Sequence, residues 1–276
     1  MTEFIDHERR LSPEEHYCLY TYSRSQPGGK VSYRDFCITE ELIGQYNRAP
    51  ADEKQRIWAR MCHDADYPAF LRAFQERPWE FEKPVLWSDR PKTPYFIRQL
   101  SDSHAFEVYI AWLFSQRGVD IGLYYGREQQ YHRGETAAGI EIKYDKRSEE
   151  TGNYYIEYQE RMHADGIWVD SGILKQDDTR FYLLGTIEQF VIFERSWLME
   201  YYRRLVCGGE RLGDARLVAE KAHGTSKGFI LRPEASRRGN IPIESLIRDY
   251  RLAEQFPADT GAAPRGAIPG ESGPDM

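Results

Sequence analysis

The chain has 276 residues, of which 41% are hydrophobic, and a formal net charge of −7. This length fits one or two domains, and the apolar share is enough for an ordinary hydrophobic core. The acidic charge argues against a protein that coats nucleic acid by bulk charge. It does not exclude a protein with a local basic groove and a local acidic site, because the net charge averages over both. The sequence contains no run of about 18 apolar residues, so no membrane span is expected. Residues 1–10 are charged and lack the apolar stretch of a signal peptide, so we expect a cytoplasmic protein.

The first hundred residues are predicted to be mainly helix and loop. Ser12 followed by Pro13 favours a helix start, and residues 51–60 form a charged helical segment. Prolines at positions 78, 84, 91 and 94 leave room for little long helix, so a domain boundary is expected near 90–100. Residues 1–95 are therefore predicted to be a mainly helical region that serves as a specificity or partner-binding module.

The rest of the chain is predicted to contain both helices and strands. Apolar spacing predicts a helix over 104–117 capped by Ser101 or Ser103, strands over 119–125, 139–144, 153–159, 181–184 and 190–193, and helices over 195–206 and 242–254. This order predicts an α/β or α+β core over residues 96–256, with a small mixed sheet flanked by helices. Residues 257–276 are rich in Pro, Gly and Ala and are expected to be disordered.

The segment from Gly134 to Asp145 carries the strongest chemical signal. In a strand over 139–145, Glu141, Lys143 and Asp145 share one face, while apolar side chains take the other. The carboxylate of Glu141 and the ammonium of Lys143 would lie about 7 Å apart along the backbone. Glu135 adds a second acid just upstream. Phosphodiester hydrolysis needs a divalent ion on one or two carboxylates, and a cation beside the attacking water.

An acid-x-Lys triplet is weak evidence by itself. On the order of two are expected by chance in a chain of this length, and Asp52-x-Lys54 in a charged helix is one. A charged face on an exposed edge strand is the alternative interpretation of Glu141 and Lys143.

In its context, the motif Gly134-Glu135 followed by Gly139-Ile140-Glu141-Ile142-Lys143 resembles the active-site strand of PD-(D/E)XK nucleases. That family includes restriction endonucleases, Holliday-junction resolvases and phage or defence nucleases. The resemblance covers roughly residues 100–206. It implies a restriction-endonuclease-like core, Mg²⁺ or Mn²⁺ as cofactor, DNA as substrate and a product with a 5′-phosphate.

The resemblance also implies roles for individual residues. Glu141 and Lys143 match the acid-x-Lys pair, and Glu107 resembles the helical acid that many members add, with a plain exposed helix residue as its alternative. The family's first acid is usually an Asp ten or more residues upstream. Glu135 lies only six residues before Glu141, and Asp120 is the alternative at a more usual distance. On the following strand, Glu157 and Gln159 are second-tier candidates, or else a half-exposed strand face.

Basic residues further along are candidates for binding DNA. Lys227 lies in a small polar turn that could contact phosphate. A DNA channel could be lined by Arg203, Arg204, Arg237 and Arg238, although scattered arginines are more often plain surface.

Two other functions stay open. One is a catalytically inactive nuclease fold kept for binding nucleic acid or for assembly. The other is a zinc site of His16, Cys18, Cys62 and His63. The favoured prediction is a Mg²⁺- or Mn²⁺-dependent DNA endonuclease. A homodimer is possible, because a cut through both strands often uses two sites.

Overall fold

The computed structural model describes residues 4–29, 31–88, 93–218 and 224–258. The helices are α1 Pro13–Ser25, α2 Glu40–Arg48, α3 Ala51–Cys62, α4 Tyr67–Glu76, α5 Pro78–Phe81, α6 Pro94–Ser115, α7 Arg127–Arg133, α8 Arg147–Thr151, α9 Arg195–Tyr202, α10 Pro233–Gly239, α11 Ile243–Asp249 and α12 Leu252–Gln255. The strands are β1 Ile38–Thr39, β2 Val85–Leu86, β3 Ile140–Tyr144, β4 Tyr154–Glu160, β5 Val169–Asp170, β6 Phe181–Gly185, β7 Phe190–Glu194, β8 Ala215–Leu217 and β9 Ser226–Leu231. Small sheets flanked by helices confirm the predicted α+β class.

The strands fall into three sheets. In the first, β3 pairs in parallel with β6, and β6 pairs antiparallel with β7. The second is antiparallel with the order β5-β4-β9-β8, and the third is the short parallel pair of β1 and β2. In the first sheet, Glu141 lies beside Tyr182 and Lys143 beside Leu184, so the acid-x-Lys pair belongs to the strand next to a fully buried one.

The N-terminal part is helical, as its sequence predicts. The hydroxyl of Ser12 accepts the N–H of Glu15 at 3.2 Å, and the carboxylate of Glu15 accepts the N–H of Ser12 at 2.8 Å. This reciprocal capping box begins α1. Behind it, residues between Ile5 and Phe74 form one hydrophobic core, rich in tyrosine and phenylalanine rings.

Helix α6 is longer than its sequence predicted. It begins at Pro94, where the hydroxyl of Thr93 accepts the N–H of Phe96 at 3.2 Å, so Ser101 and Ser103 lie inside the helix. The proline expected to interrupt helix here instead begins one, because the first helical residue needs no N–H partner. The predicted apolar stripe is buried at Phe106, Ile110 and Phe114 and packs in the core that contains β3.

Two further sequence predictions need correction. Residues 119–125 form no strand: Val119 bridges to Pro257 and Leu123 to Thr136, each as an isolated pair. Gly122 has φ +61°, which interrupts extended backbone. The last helix, predicted over 242–254, is divided into α11 and α12 by Arg251 with φ 54°.

The helix predicted over 195–206 is present as α9 followed by a π-helical turn, Arg203–Cys207. Most of the tail predicted to be disordered, residues 259–276, lies outside the described residues. Among the helices in the described ranges, none is both long and apolar enough to span a membrane.

Candidate active site

Strand β3 presents its two faces as the alternation predicts. Ile140 and Ile142 are 0% and 1% exposed and join the hydrophobic core around α6. Glu141 and Lys143 lie on the opposite face, where Glu141 is 7% exposed and the side chain of Lys143 about half exposed. The strand therefore fixes a carboxylate and an ammonium on a rigid support between the core and solvent.

A tight loop brings Glu135 back to the same strand. Gly134 and Gly139 have φ +87° and +71°, and a Cβ at Gly139 would lie 2.7 Å from the carbonyl oxygen of Asp178. Between them, the hydroxyl of Thr136 accepts the N–H of Ile140 at 2.8 Å and donates to its carbonyl at 3.0 Å. The loop can fold this closely only with glycine at the left-handed positions.

The carboxylate of Glu135 rests on the strand itself. Its Oε2 accepts the N–H of Ile142 at 2.6 Å, and this N–H lies on the edge of β3 that does not pair with β6. Its Oε1 lies 3.4 Å from Nζ of Lys143. Glu135 therefore reaches the acid-x-Lys pair although it precedes β3 in the chain.

Lys143 lies between two carboxylates. Its Nζ is 2.6 Å from Oε1 of Glu141 and 3.4 Å from Oε1 of Glu135. An ammonium has three donors, so one remains for another acceptor. Oε2 of Glu141 is buried and has no hydrogen-bond partner in the part of the chain that the structure describes. A buried carboxylate oxygen without a partner is costly and calls for an explanation.

Glu107 contributes a third carboxylate from α6. Its Oε1 accepts the hydroxyl of Ser103 at 3.2 Å, and its Oε2 lies 3.9 Å from Nδ1 of His104. The side chain is 24% exposed, so the plain exposed residue of the alternative prediction is not what the structure shows.

The pKa values of the site reflect two carboxylates in contact with Lys143 and a third, Glu107, that interacts with it through its charge. Burial raises the pKa of Glu135 to about 8, with the charge of Glu141 as the next cause. Burial likewise raises the pKa of Glu107 to about 7. Burial lowers the pKa of Lys143, but the attraction of Glu135 and Glu141 outweighs it and raises that pKa well above its usual range. Excess negative charge of this kind favours a bound cation.

The side chains of Glu135, Glu141 and Lys143 open into a cleft of about 660 Å³, which Glu107 does not line. Its other lining residues come from α7 and from the turn after the 3₁₀ helix Gly172–Leu174, and they are Glu128, Gln130, Tyr131, His132 and Lys175. None of these five residues is predicted from the sequence. For the four on α7, the one available signal is the density of polar and aromatic side chains directly before Gly134, and Lys175 has no such signal.

Two acids that the sequence offered as site residues, Asp120 and Asp145, do not line the cleft. Asp120 is exposed, and its Oδ1 accepts the N–H of Gly122 at 2.9 Å. Asp145, predicted to share the face of Glu141, lies just beyond β3 and accepts the N–H of Arg147 at 3.1 Å. Of the two candidates for the first acid, the structure thus places Glu135 beside Lys143.

The second-tier residues on β4 have partners of their own. Glu157 accepts hydrogen bonds from Ser171, at 2.8 Å, and from Ser226. Its charge still contributes to the raised pKa of Lys143. Gln159 lies further along the strand and donates to Asp170 at 3.1 Å. Of these two residues, Glu157 is therefore the one whose charge affects the pKa of Lys143.

The basic residues proposed for DNA binding are dispersed. Nζ of Lys227 lies 4.3 Å from the ring centre of Trp168. The four arginines each form an ion pair with an acid, namely Arg203 with Glu200, Arg204 with Glu210, Arg237 with Glu234 and Arg238 with Asp214. The lysines that line the cleft, among its described residues, are instead Lys143 and Lys175.

The predicted zinc alternative is not supported. Within the described ranges, no group of three or more His, Cys, Asp or Glu side chains is arranged to hold a metal ion. Cys18 is buried while Cys62 is exposed, and His16 packs on the ring of Phe74 at 5.3 Å. Mg²⁺ needs fewer protein ligands than zinc, since one or two carboxylates with water and substrate phosphate suffice. Glu135 and Glu141 could supply these carboxylates, and Oε2 of Glu141 is buried without a partner among the described residues.

Comparison with known proteins gave no match: neither a protein-family model, nor a curated protein, nor a solved structure is significantly similar to the chain.

Proposed function

We propose that the chain is a Mg²⁺- or Mn²⁺-dependent nuclease that hydrolyses DNA phosphodiester bonds in the cleft of Glu135, Glu141 and Lys143. The observation that carries the proposal is the ammonium of Lys143 between two carboxylates at the base of an open cleft. The free oxygen of Glu141 is the second support.

Glu135 and Glu141 would hold the cation. When bound, such an ion neutralises phosphate oxygens and lowers the pKa of a bound water. The backbone bond from Ile142 to Glu135 fixes that carboxylate without a flexible partner. A preorganised carboxylate pair needs little rearrangement to take up the ion.

Lys143 has the geometry to act on the substrate. Its two carboxylate contacts leave one N–H to donate to a phosphate oxygen, which would stabilise charge that develops during attack. Its raised pKa keeps it protonated, so it serves as a positive charge and donor rather than as a base. Glu107 does not line the cleft, and its charge would act on Glu141 and Lys143 from outside it.

The walls of the cleft suit a nucleic-acid strand. Tyr131 is 72% exposed and offers a ring on which a base can stack, and Lys175 adds a positive charge. The dispersed arginines give less support to a long DNA channel. This favours a substrate gripped near the cleft over one bound along the whole protein.

A second function rests on a specific observation. The described residues hold no group of three or more metal-binding side chains arranged for an ion. A nuclease-like fold kept for nucleic-acid binding would show that pattern, with Lys143 as a plain phosphate contact.

Cleavage of supercoiled plasmid and of single-stranded circular DNA tests the proposal, with Mg²⁺, Mn²⁺ or EDTA. We expect metal-dependent nicking or cutting by the wild type, reduced about 100-fold or more in Lys143→Ala and Glu141→Gln. Matched controls are Lys146→Ala and Glu150→Gln, both exposed residues just beyond β3, which should cleave like the wild type.

Each other outcome has a meaning. Cleavage that survives Lys143→Ala would place the active site elsewhere. If the wild type cuts neither DNA but binds it, and Lys143→Ala weakens that binding, the binding function is favoured. Cleavage of RNA alone would keep the site and change the substrate.

A further inference from the structure

Two segments that border the candidate active-site cleft are joined by a hydrogen bond. One is α7, and the other is the turn that follows the 3₁₀ helix. Nζ of Lys175 donates to the carbonyl oxygen of Gln130 in α7 at 3.2 Å. It also lies 3.2 Å from Oδ2 of Asp177, whose side chain is 1% exposed. The bond holds the two segments together, so it limits how far the cleft can widen.

The turn that carries Lys175 is itself fixed by Arg195. The guanidinium donates to the carbonyl oxygen of Ile173 at 2.9 Å, to that of Thr179 at 3.1 Å and to that of Lys175. The carboxylate of Asp177 accepts the N–H of Thr179 at 3.1 Å. Hydrogen bonds to charged groups are stronger than those between neutral groups. The turn therefore keeps its shape, and the cleft is preformed.

The size of the cleft suits one strand better than a duplex. Its volume of about 660 Å³ lies within the range of roughly 300–1,000 Å³ that is typical of sites for small molecules. A space of this size accommodates a short piece of one strand. A duplex, whose major groove alone is about 12 Å wide, would have to lie outside it.

Tyr131 offers a surface that the interior of a duplex cannot use. The residue is 72% exposed, and the ring of His132 packs edge-on against it at 5.0 Å. Bases inside a duplex are stacked on both faces, so an aromatic side chain can stack only on a base that has been freed. Sites for single strands combine such rings with cations that follow the backbone. Tyr131 and Lys175 line one cleft and provide that combination.

The positive charges of the cleft favour the same substrate. A protein that binds duplex DNA tightly often neutralises on the order of 6–10 phosphates with Lys and Arg. Among the described residues that line the cleft, the lysines and arginines are Lys143 and Lys175 alone. The four arginines of the predicted DNA channel are each paired with an acid. Two cations match a short length of one strand.

We propose that the substrate is single-stranded DNA, with one base stacked on Tyr131 and the adjacent phosphate held by Lys175. The inference rests on the proposed nuclease function. The ammonium of Lys175 has three donors, of which Gln130 and Asp177 take two, so one N–H remains for a phosphate oxygen. Tyr131 and Lys175 then select the substrate, and Lys143 acts at the bond that is cut.

Matched substrates test this choice. A labelled oligonucleotide is offered with Mn²⁺ either alone or annealed to its complement. We expect kcat/KM to be at least about tenfold higher for the single strand, because a duplex must first be unpaired and unstacked. Supercoiled plasmid should be nicked faster than relaxed duplex circles, since negative supercoiling favours local strand separation.

Variants of the two cleft residues test their roles in binding. Tyr131→Ala should raise the Kd for the single strand, measured by fluorescence anisotropy in EDTA, roughly 5–150-fold through the loss of one stacked base. Tyr131→Trp keeps an aromatic ring and should bind like the wild type. Tyr95→Ala is the control, because Tyr95 on α6 is 75% exposed and does not line the cleft. Lys175→Ala should reduce the salt dependence of log Kd by about 0.7.

Abasic substrates separate stacking from a structural role of Tyr131. Oligonucleotides that lack one base at successive positions should bind the wild type more weakly when the missing base is the one that stacks. Tyr131→Ala should not show that additional loss, because the partner ring is already gone. A loss of the same size in Tyr131→Ala would overturn the stacking role.

The outcomes distinguish this inference from the proposed function. Equal kcat/KM for single strand and duplex, or wild-type affinity in Tyr131→Ala, would overturn the inference. The nuclease function would still stand if Lys143→Ala is inactive. A wild type that binds the single strand through Tyr131 without cutting it would support the choice of ligand and refute hydrolysis. A wild type that neither cuts nor binds DNA would refute both.

Discussion

Glu82 and Glu135 are both largely buried carboxylates about 50 residues apart in the chain, yet their surroundings are opposite. Burial raises the pKa of Glu82, but the positive charge of Arg10, which is the largest opposing cause, helps to lower this pKa below its usual range. Burial raises the pKa of Glu135 to about 8, and the neighbouring charge of Glu141 adds to the shift. The charge of Glu82 is compensated by a neighbouring positive charge, whereas Glu135 lies beside another carboxylate.

This contrast separates a structural acid from a candidate functional one. A buried carboxylate with an arginine and a tyrosine hydroxyl is neutralised within the protein and can hold two regions together. Several carboxylates around one lysine leave excess negative charge, which disfavours folding and is removed when a cation binds. Four predictions test the contrast, in order of decreasing effect.

Glu82→Ala should be the most destabilising change. It leaves Arg10 and Tyr125 without their acceptor in a buried site, which costs about 3 kcal/mol and lowers the thermal midpoint by roughly 6–12 °C. Calorimetry of wild type and variant measures the change. Glu80→Ala, at an exposed acid of α5, the helix that ends just before Glu82, should stay within about 0.5 kcal/mol. Equal effects at both positions would show that Glu82 is not a structural anchor.

His16 should make the N-terminal region sensitive to acid. Burial lowers its pKa to about 4 against 6.5 in the unfolded chain. The unfolded state therefore binds more protons in between, and stability is lost as the pH falls from about 6.5 to 4, by at most about 3 kcal/mol. Thermal midpoints between pH 4.5 and 8 should fall less steeply for His16→Leu than for wild type. Parallel curves would assign the acid sensitivity to other groups.

Glu135→Gln should stabilise the metal-free protein. The amide oxygen can still accept the N–H of Ile142, and the repulsion with Glu141 disappears. We expect a gain of about 1 kcal/mol, or roughly 2–4 °C in EDTA, and loss of the rise in midpoint that Mg²⁺ gives the wild type. Glu128→Gln, an exposed acid of the same cleft, should change neither. A lower midpoint for Glu135→Gln would mean that its charge is compensated, like that of Glu82.

The smallest effect is expected from the double change Arg203→Ala and Arg204→Ala. Glu200 and Glu210 already pair with these exposed side chains, so DNA affinity should change less than about twofold. Fluorescence anisotropy at several salt concentrations measures it. A larger loss, with a salt dependence reduced by about two contacts, would place these arginines in a DNA channel after all.

The sequence by itself determined the parts of the site that depend on near neighbours. Alternation along residues 140–144 is enough to place Glu141 and Lys143 on one face and two isoleucines in the core, because strand geometry repeats every two residues. The capping box at Ser12 and the apolar stripe of α6 depend in the same way on spacing within a single element.

Only the tertiary structure decided which acids converge. Glu135 rather than Asp120 reaches Lys143 because two glycines with positive φ fold its loop back onto β3. Lys175 reaches the cleft from a segment 32 residues beyond Lys143, and His104 meets Glu82 across the junction of α6 with the N-terminal helices. Such contacts depend on how whole elements pack, and no local periodicity encodes that packing. The sequence therefore determined the central strand of the site, and the packing of the chain decided its remaining walls and partners.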